Sequence, residues 1–271
     1  MLIKVIMIFL LLFSNVNLIL AKESIIKEKT IKIMSLNIWG GQVKEPLLEF
    51  IKKRQDVDIF CMQEVYYKAK TKACTNDPVQ LDIFSEISAI LSDYEAFFVE
   101  TIEGYGIGMF IKKNLTIQNK GEYLIHVNPN YSSPGPSNSR KLQWIKIKSN
   151  GNLYTVINLH GLWNGQGKSD TEARIIQSYN IKKFLDSINS KKILCGDFNI
   201  TPETKSLEII EGEMQNLIKM YNIKSTRTSF YTKPIKYADY VFISQDIKVK
   251  HFEVLKDEVS DHAPLLLEIY N

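Results

Sequence analysis

The segment at residues 191–202 constrains this chain more than any other stretch. Its sequence, Lys-Lys-Ile-Leu-Cys-Gly-Asp-Phe-Asn-Ile-Thr-Pro, carries a short apolar run into a glycine and then places a carboxylate and an amide two residues apart. An extended chain alternates its side chains between two faces, so Asp197 and Asn199 are predicted to point the same way where a buried strand ends. By itself, the segment fits either a reaction centre or a polar turn after a core strand.

Four further segments share this design, because in each an apolar run ends in side chains that can bind a metal or move a proton. They are Ser35-Leu36-Asn37, Met62-Gln63-Glu64, Asn158-Leu159-His160 and Ser260-Asp261-His262. The recurrence of polar groups at predicted strand ends favours a reaction centre over an isolated turn.

Strand-like patterns recur along the chain and are interrupted by fewer helix-like ones. Besides the strand that ends at Asp197, β-branched or alternating runs predict strands at 31–38, 57–65, 94–101, 106–112, 142–147, 153–159, 237–243, 248–255 and 264–269. Helical spacing predicts helices at 46–54, 81–91, 170–185 and 203–210. Many strands are joined as hairpins while others are separated by helices, which favours an α/β layered fold with mixed sheets over a doubly wound parallel sheet.

The longest predicted helix, at 170–185, is expected to begin at a cap formed by Ser169 or Asp170. The predicted apolar positions of this helix are Ile175, Ile176, Tyr179 and Phe184.

A turn-rich segment at 128–139 is expected to form a surface loop within a single domain.

The first 21 residues differ from the rest in composition. They hold one charged residue, Lys4, and a long apolar run that closes on Ala21. This pattern predicts a secretory signal peptide at 1–21 and a catalytic domain at 22–271 that is secreted or periplasmic. An uncleaved membrane anchor is the alternative, and no later stretch is long and apolar enough to span a bilayer.

Net charge and cysteine content limit the functional and structural classes that the sequence supports. The chain has a formal charge of +4, and of +3 without its first 21 residues, which by itself is too small to indicate a polyanionic partner. Three cysteines do not make a disulfide framework. Cys61 and Cys195 lie in apolar runs and are interpreted as core thiols, with a bridge from Cys61 to Cys74 as the alternative.

The acidic residues at the predicted strand ends suit a hard divalent cation. Hydrolysis of a phosphodiester requires such a cation on a phosphate oxygen, an activated water and donors around the phosphorus. Glu64 and Asp261 are natural ligands of Mg²⁺ or Mn²⁺, and Asn37 offers a neutral oxygen. The sequence contains no Cys or His cluster with the spacing of zinc ligands, which argues against a zinc hydrolase.

Two of the four histidines follow apolar strands directly. His160 and His262 are each interpreted as a proton carrier or a phosphate donor, with a satisfied structural histidine as the alternative. A catalytic histidine needs an orienting carboxylate, and Asp239 lies inside an apolar strand where an unpaired acid is costly. A pair between Asp239 and His262 is therefore predicted.

Six short segments, taken in order, resemble the motif series of the endonuclease/exonuclease/phosphatase superfamily. The resemblance covers about residues 30–270. It implies a four-layer α/β sandwich of the deoxyribonuclease I type, in which two mixed β-sheets are flanked by helices. The segments are Leu36-Asn37, Gln63-Glu64-Val65, Asn158-Leu159-His160, Gly196-Asp197-Phe198-Asn199, Ala238-Asp239-Tyr240-Val241 and Ser260-Asp261-His262-Ala263-Pro264.

The resemblance also implies roles for individual residues. Arg140 matches an arginine that binds phosphate in some members, with a solvated arginine as the alternative. Arg174 is similar to another family position, but a charge on the helix surface is the expectation. By the resemblance, the metal-site residues are Asn37, Glu64 and Asp261, the pair that activates water and stabilises the transition state is Asp197 and Asn199, and the catalytic histidines are His160 and His262, one of them oriented by Asp239.

The superfamily implies phosphoester hydrolysis more firmly than it implies a particular phosphoester. Nucleic acid is the first expectation, because the mature charge is mildly positive and lysine-rich loops are available to flank the site. A phospholipid or phosphoinositide headgroup is the alternative, for which Trp39 and Trp163 lie in loops beside the motifs. A catalytically inactive binding module is a third possibility, and none of the expected acids or histidines is missing.

Overall fold

The computed structural model describes residues 29–72, 77–128 and 138–271. The predicted signal peptide, Cys74 and residues 129–137 of the predicted surface loop lie outside the described residues. Cys61 and Cys195 are both buried, as the prediction of core thiols requires. None of the helices in the described ranges combines the length and hydrophobicity that a membrane crossing requires.

Within those ranges the chain forms two six-stranded sheets. The first sheet consists, in spatial order, of β11 (Val249–Val254), β12 (Leu265–Tyr270), β1 (Thr30–Asn37), β2 (Ile59–Tyr66), β4 (Tyr105–Lys112) and β3 (Tyr94–Ile102). The second consists of β5 (Thr116–His126), β6 (Arg140–Ser149), β7 (Asn152–His160), β8 (Lys191–Asp197), β10 (Asp239–Ile243) and β9 (Gln215–Asn216).

Both sheets are mixed, as predicted. The pairs β1–β2 and β7–β8 are parallel, and the other neighbouring strands pair antiparallel. The predicted hairpin between β6 and β7 is confirmed, and its two-residue turn uses Asn150 and Gly151 at φ of 46° and 84°. This left-handed pair is the backbone conformation that Asn-Gly favours in tight hairpins.

The inner faces of the two sheets share one apolar core, and helices cover the outer faces. Ile33 and Met109 of the first sheet belong to the same buried cluster as Val156 and Leu194 of the second. Such sheet-on-sheet packing, with helices outside, is the predicted four-layer sandwich. The helices are α1 (Lys44–Lys53), α2 (Ile83–Ile90), α3 (Glu172–Asp186), α4 (Lys205–Glu211) and α5 (Leu217–Met220).

Three predictions about α3 are wrong. Its N-cap is Thr171, whose side chain accepts a hydrogen bond from the Arg174 backbone, whereas Asp170 accepts from the backbone at the start of α4. The predicted apolar positions Ile176 and Tyr179 are 51% and 57% exposed. Arg174, expected on the surface, is fully buried because three backbone carbonyls of the 162–169 loop satisfy its guanidinium.

Strand β5 has no counterpart among the predicted strands. It lies at the edge of the second sheet, where it pairs with β6 alone. Its sequence, Thr-Ile-Gln-Asn-Lys-Gly-Glu-Tyr-Leu-Ile-His, is mostly polar, and only Ile125 in it is buried. An edge strand that buries one side chain leaves little hydrophobic pattern for sequence analysis to detect.

Candidate active site

The predicted site residues converge at one edge of the sandwich because the strands that carry them end there in register. Asn37 at the end of β1 lies opposite Gln63 of β2, and His160 at the end of β7 lies opposite Asp197 of β8. Asp197 in turn lies opposite Asp239 at the start of β10. The carboxyl ends of neighbouring parallel strands thus bring groups that are distant in sequence to one place.

A cavity of about 470 Å³ opens at this edge. The predicted metal ligand Asn37 and the predicted orienting acid Asp239 do not line it. The predicted residues that do line it are Glu64, Arg140, His160, Asp197, Asn199, Asp261 and His262.

The backbone at Glu64 leaves the regular strand geometry and turns the carboxylate into the cavity. Glu64 has φ of 55°, and the pairing of β2 with β4 shifts register between Met62 and Val65. A left-handed non-glycine residue within a bulge is strained and persists only where its surroundings hold it. The Asn158 amide supplies part of that support, because it donates to the Met62 carbonyl at 3.0 Å and accepts from Gln63 Nε2 at 2.7 Å.

The Gly-Asp-Phe-Asn segment forms a turn past the strand end. Gly196 has φ of 144°, and a Cβ there would meet the Leu159 carbonyl oxygen at 1.9 Å, so only glycine fits. Asn199 has φ of 55°, and its backbone N–H donates to Asp197 Oδ1 at 2.8 Å. The side chains of Asp197 and Asn199 both line the cavity, as the prediction that they point the same way requires. Asn199 reaches it through a left-handed turn and not through the alternation of side chains along an extended strand.

The Asn37 amide joins the two central carboxylates. Its nitrogen donates to Glu64 Oε1 and to Asp197 Oδ2, each at 3.0 Å. Its oxygen accepts the backbone N–H of Trp39 at 2.9 Å, because the short 3₁₀ turn Trp39–Gly41 folds that group back. The prediction that Asn37 offers an oxygen to the metal stays a prediction, since the oxygen keeps a second lone pair, while the nitrogen positions the two carboxylates.

The acidic groups form a site that suits a divalent cation. The carboxylates of Glu64 and Asp197 and a ring nitrogen of His160 all lie within 4.8 Å of one another, and the two carboxylates are the candidate metal ligands among them. Asp261 Oδ1 is buried and has no hydrogen-bond partner, whereas Oδ2 pairs with Arg227 Nη1 at 2.7 Å. Burial, together with the charges of Asp261 and Asp197, raises the pKa of Glu64 to about 7. A hard cation would relieve this repulsion, so the donor set fits Mg²⁺ or Mn²⁺.

His160 is held as a neutral N–H donor. Arg140 is buried, and its Nη1 lies 3.2 Å from His160 Nδ1, so the alternative of a solvated arginine is excluded. An arginine only donates, which leaves Nδ1 as the acceptor and puts the proton on Nε2. That atom lies 3.8 Å from both Glu64 Oε1 and Asp197 Oδ2. Burial first, then the charge of Arg140, lowers the pKa of His160 well below its usual value.

His262 has the opposite environment. Its Nδ1 lies 2.8 Å from Asp239 Oδ1, the predicted pair, and Asp239 also accepts from Thr226 Oγ1 at 2.8 Å. The carboxylate fixes the proton on Nδ1 and leaves Nε2 facing Asp197 Oδ2 at 3.6 Å. Burial raises the pKa of Asp239 to about 6 and, with Arg227, lowers that of His262 to about 4, so near pH 7 a neutral imidazole meets a carboxylate.

Sequence analysis missed a basic side of the cavity. Lys168, Arg227, Tyr231 and Lys233 line it, and all belong to loops. An isolated antiparallel bridge between Arg227 and His262 brings the 225–237 loop to the reaction centre. Residues in loops carry no periodic pattern, and in the sequence only the proximity of Arg227 to the Asp239 motif hinted at this role.

Comparison with known proteins identifies the family. The family model described as the Endonuclease/Exonuclease/phosphatase family matches residues 34–262. No individually curated protein matches the chain by sequence.

Solved structures share the fold at low sequence identity. A mannosyl-6-phosphatase of Bacteroides thetaiotaomicron is similar with a TM-score of 0.70 and 19% identity, covering 89% of this chain and 100% of that one. A family protein of Leptotrichia buccalis gives 0.66 and 20%, over 89% and 100% of the two chains. Danio rerio TDP2, in complex with a single-strand DNA product, gives 0.68 and 12%, over 90% and 100%.

The family model spans most of the chain and includes every predicted site residue, and the solved relatives have the same two-sheet sandwich. The protein therefore belongs to the endonuclease/exonuclease/phosphatase family of phosphoester hydrolases.

Proposed function

We propose that this phosphoester hydrolase is a secreted, Mg²⁺-dependent nuclease that cleaves phosphodiester bonds by in-line attack of water. The observation that carries the proposal is the mixed lining of its cavity. Beside the acidic centre the cavity presents positive side chains and aromatic rings, a combination that binds nucleic acid through its phosphates and stacks on its bases. The positive side chains are Arg140, Lys168, Arg227 and Lys233, and the rings are Trp39, Trp163 and Tyr231, since Tyr66 and Tyr105 also line the cavity but are buried against each other.

The residues divide the chemical work by their hydrogen bonds. Asp197, held by Asn37 and by the Asn199 backbone, is placed to accept a proton from the attacking water. His160 donates from Nε2 towards the phosphate, because Arg140 occupies its other nitrogen.

The remaining groups are assigned to metal binding and to the second imidazole of the site. Glu64 and Asp261 would hold the cation, which when bound stabilises the charge that develops on the phosphate oxygens. The Asp239–His262 pair presents a second imidazole Nε2 to the same space. All predicted acids and histidines that the structure describes thus have a place in the site, which disfavours an inactive binding module.

Two printed names among the solved relatives bear on the substrate. One relative is a mannosyl-6-phosphatase, and another is bound to a single-strand DNA product. They support phosphoester cleavage and access of a nucleic acid strand to this fold. Secretion rests on the apolar N-terminal sequence closing on Ala21.

The first test is turnover by residues 22–271 with Mg²⁺, with and without a chelator. Supercoiled plasmid and a single-stranded oligonucleotide are offered in parallel with sphingomyelin and phosphoinositide vesicles. We expect metal-dependent cleavage of nucleic acid and none after exhaustive chelation. Full activity in the chelated sample would contradict the metal requirement, and headgroup release with intact plasmid would contradict the nuclease assignment.

Hydrolysis of a phospholipid headgroup is the second candidate, and one feature favours it. Phe230 and Ile235 are each 42% exposed in the loop that carries Tyr231, and the Phe230 ring lies 6.4 Å from that of Trp39. Exposed apolar side chains beside a cavity are suited to a membrane surface. Phe230→Ser is expected to abolish vesicle turnover selectively if this candidate is correct, and to leave plasmid cleavage in place.

A further inference from the structure

Three cations surround a single aromatic ring on the basic side of the cavity. The Arg227 guanidinium carbon lies 4.1 Å from the centre of the Tyr231 ring, and the Lys168 and Lys236 nitrogens each lie 5.4 Å from it. We call Lys168, Arg227, Tyr231 and Lys236 the Tyr231 cluster. Like charges gathered this closely repel one another, so the arrangement needs compensation.

The protein supplies only part of that compensation. Among the described residues, Arg227 is the one cation of the three that pairs with a carboxylate, Asp261. Lys168 is 5% exposed, and the one hydrogen bond of its ammonium goes to the Tyr237 carbonyl at 2.8 Å. An ammonium has three donors, and although the acids Asp197, Asp239 and Asp261 lie near it, none is in direct contact with this buried cation.

A further buried donor points to a missing acceptor. Arg227 Nε is buried and has no hydrogen-bond partner among the described residues, and the side chain as a whole is only 4% exposed. The ring of Tyr231 holds the guanidinium, and Asp261 takes only Nη1. Lys168 and Arg227 both line the cavity that contains the reaction centre, so an anion bound there lies beside both cations.

We infer that the Tyr231 cluster binds a second phosphate group of the substrate, next to the one that is cleaved. Resting on the proposed nuclease function, this makes the substrate a nucleotide chain that carries at least two phosphates. Phosphate suits the site because three acceptor oxygens can take hydrogen bonds from an ammonium and a guanidinium at once. Burial first, and then the charge of Arg227, lowers the pKa of Lys168 in the free protein, and a bound phosphate would offset both effects.

The test compares two chromogenic esters that differ only in the second phosphate. One is thymidine 5′-(p-nitrophenyl phosphate), and the other is the same compound with a 3′-phosphate. For the wild-type protein we expect kcat/KM to be about tenfold higher or more with the 3′-phosphate, since one hydrogen bond to a charged group is worth at least that factor.

Variants then assign the preference to the cluster. Lys168→Met is expected to lower the ratio of the two kcat/KM values about tenfold, mainly through KM, and Lys168→Arg is expected to keep most of it. Lys182→Met on α3, whose side chain is 44% exposed, is the matched control and should keep the wild-type ratio. Because the readout is a ratio within one protein sample, a partly misfolded variant does not imitate the effect.

The outcomes separate the inference from the proposed function. Turnover of both esters without a preference, or an equal loss on both esters in Lys168→Met, would overturn the inference and leave the nuclease function standing. Failure to cleave either ester by a protein that cleaves plasmid would overturn the inference alone, and failure on both esters and on plasmid would overturn the nuclease function as well.

Discussion

The cavity has two walls that the chain builds in different ways. The acidic wall consists of groups at strand ends, such as Glu64, His160 and Asp197, whose places follow from the register of paired strands. The basic wall consists of loop residues, above all Lys168 and Arg227, whose places follow from contacts made by side chains. From this difference we infer that the proposed chemistry depends on groups held by the sheets, whereas the proposed selection among phosphoesters depends on the loops.

The walls meet at the pair formed by Asp261 and Arg227. One oxygen of Asp261 pairs with the arginine, and the other has no hydrogen-bond partner among the described residues. The same carboxylate is thus placed to bind the proposed metal and to hold Arg227 on the basic wall. Changes on the acidic wall are accordingly expected to lower kcat, and changes on the basic wall are expected to alter KM and charge balance.

Among changes on the acidic wall, removal of the His262 imidazole is expected to cause the largest loss of activity. His262→Ala is expected to lower kcat by about 10⁴-fold, because it removes the imidazole that faces Asp197 and leaves Asp239 buried without its partner. The measurement is nucleic acid turnover with saturating Mg²⁺. His251→Ala is the matched control, since His251 lies on β11 with a half-exposed side chain and is expected to have wild-type turnover. Equal rates for His262→Ala and wild type would refute the site assignment.

Replacement of Asp239 tests whether turnover depends on the orientation of the His262 imidazole as well as on its presence. Asp239→Asn keeps the shape but offers the imidazole an amide, so the proton is no longer fixed on Nδ1, and kcat is expected to fall by about 10³-fold. The control is Asp246→Asn, at an acid whose side chain is 62% exposed. An NMR measurement of the His262 tautomer should change in parallel, and an unchanged tautomer with reduced turnover would point to a different role for Asp239.

The titration of Lys168 tests whether the basic wall is strained in the absence of an anion. Burial, then the charge of Arg227, lowers the pKa of Lys168 from 10.5 to about 8, despite the nearby acids Asp197, Asp239 and Asp261. Between those pH values the unfolded chain keeps a proton that the folded protein releases. The free energy of unfolding, relative to Lys168→Met, should therefore rise with pH from about 8 to 10.5, by on the order of 2 kcal/mol.

The dependence of the unfolding free energy on pH is measured by denaturant unfolding at several pH values in the absence of metal. Lys168→Arg is the control, because arginine keeps its charge over the whole range and should show no such rise. A pH-independent difference between wild type and Lys168→Met would mean that Lys168 is not held in a strained, charged state.

Removal of Arg227 sharpens the comparison where the walls meet. Arg227→Met is expected to raise KM for nucleic acid by about tenfold through the lost donor, and to tighten Mn²⁺ binding because both oxygens of Asp261 become available. Calorimetric titration with Mn²⁺ gives the second quantity independently of activity. Weaker Mn²⁺ binding in this variant would contradict the position given to Arg227 between the metal site and the basic wall.

Much of the acidic wall could be predicted from sequence because each of its residues follows a recognisable apolar run. Asp197 after Ile-Leu-Cys-Gly and His160 after Val-Ile-Asn-Leu are visible in this way, and the pairing of His262 with Asp239 followed from the cost of burying an acid. An error arose where tertiary contacts override a pattern, as for Arg174, whose guanidinium is buried against loop carbonyls.

The sequence by itself determined the layered α/β class, the order of the motifs and the identity of the acids and histidines, because strand periodicity and burial are local properties. Only the tertiary structure decided that Arg140 fixes the protonated nitrogen of His160, that Arg227 pairs with Asp261 and that Lys168 is buried beside Tyr231. These contacts join residues 20, 34 and 63 positions apart in the chain, and no local pattern specifies which loops meet at a strand end.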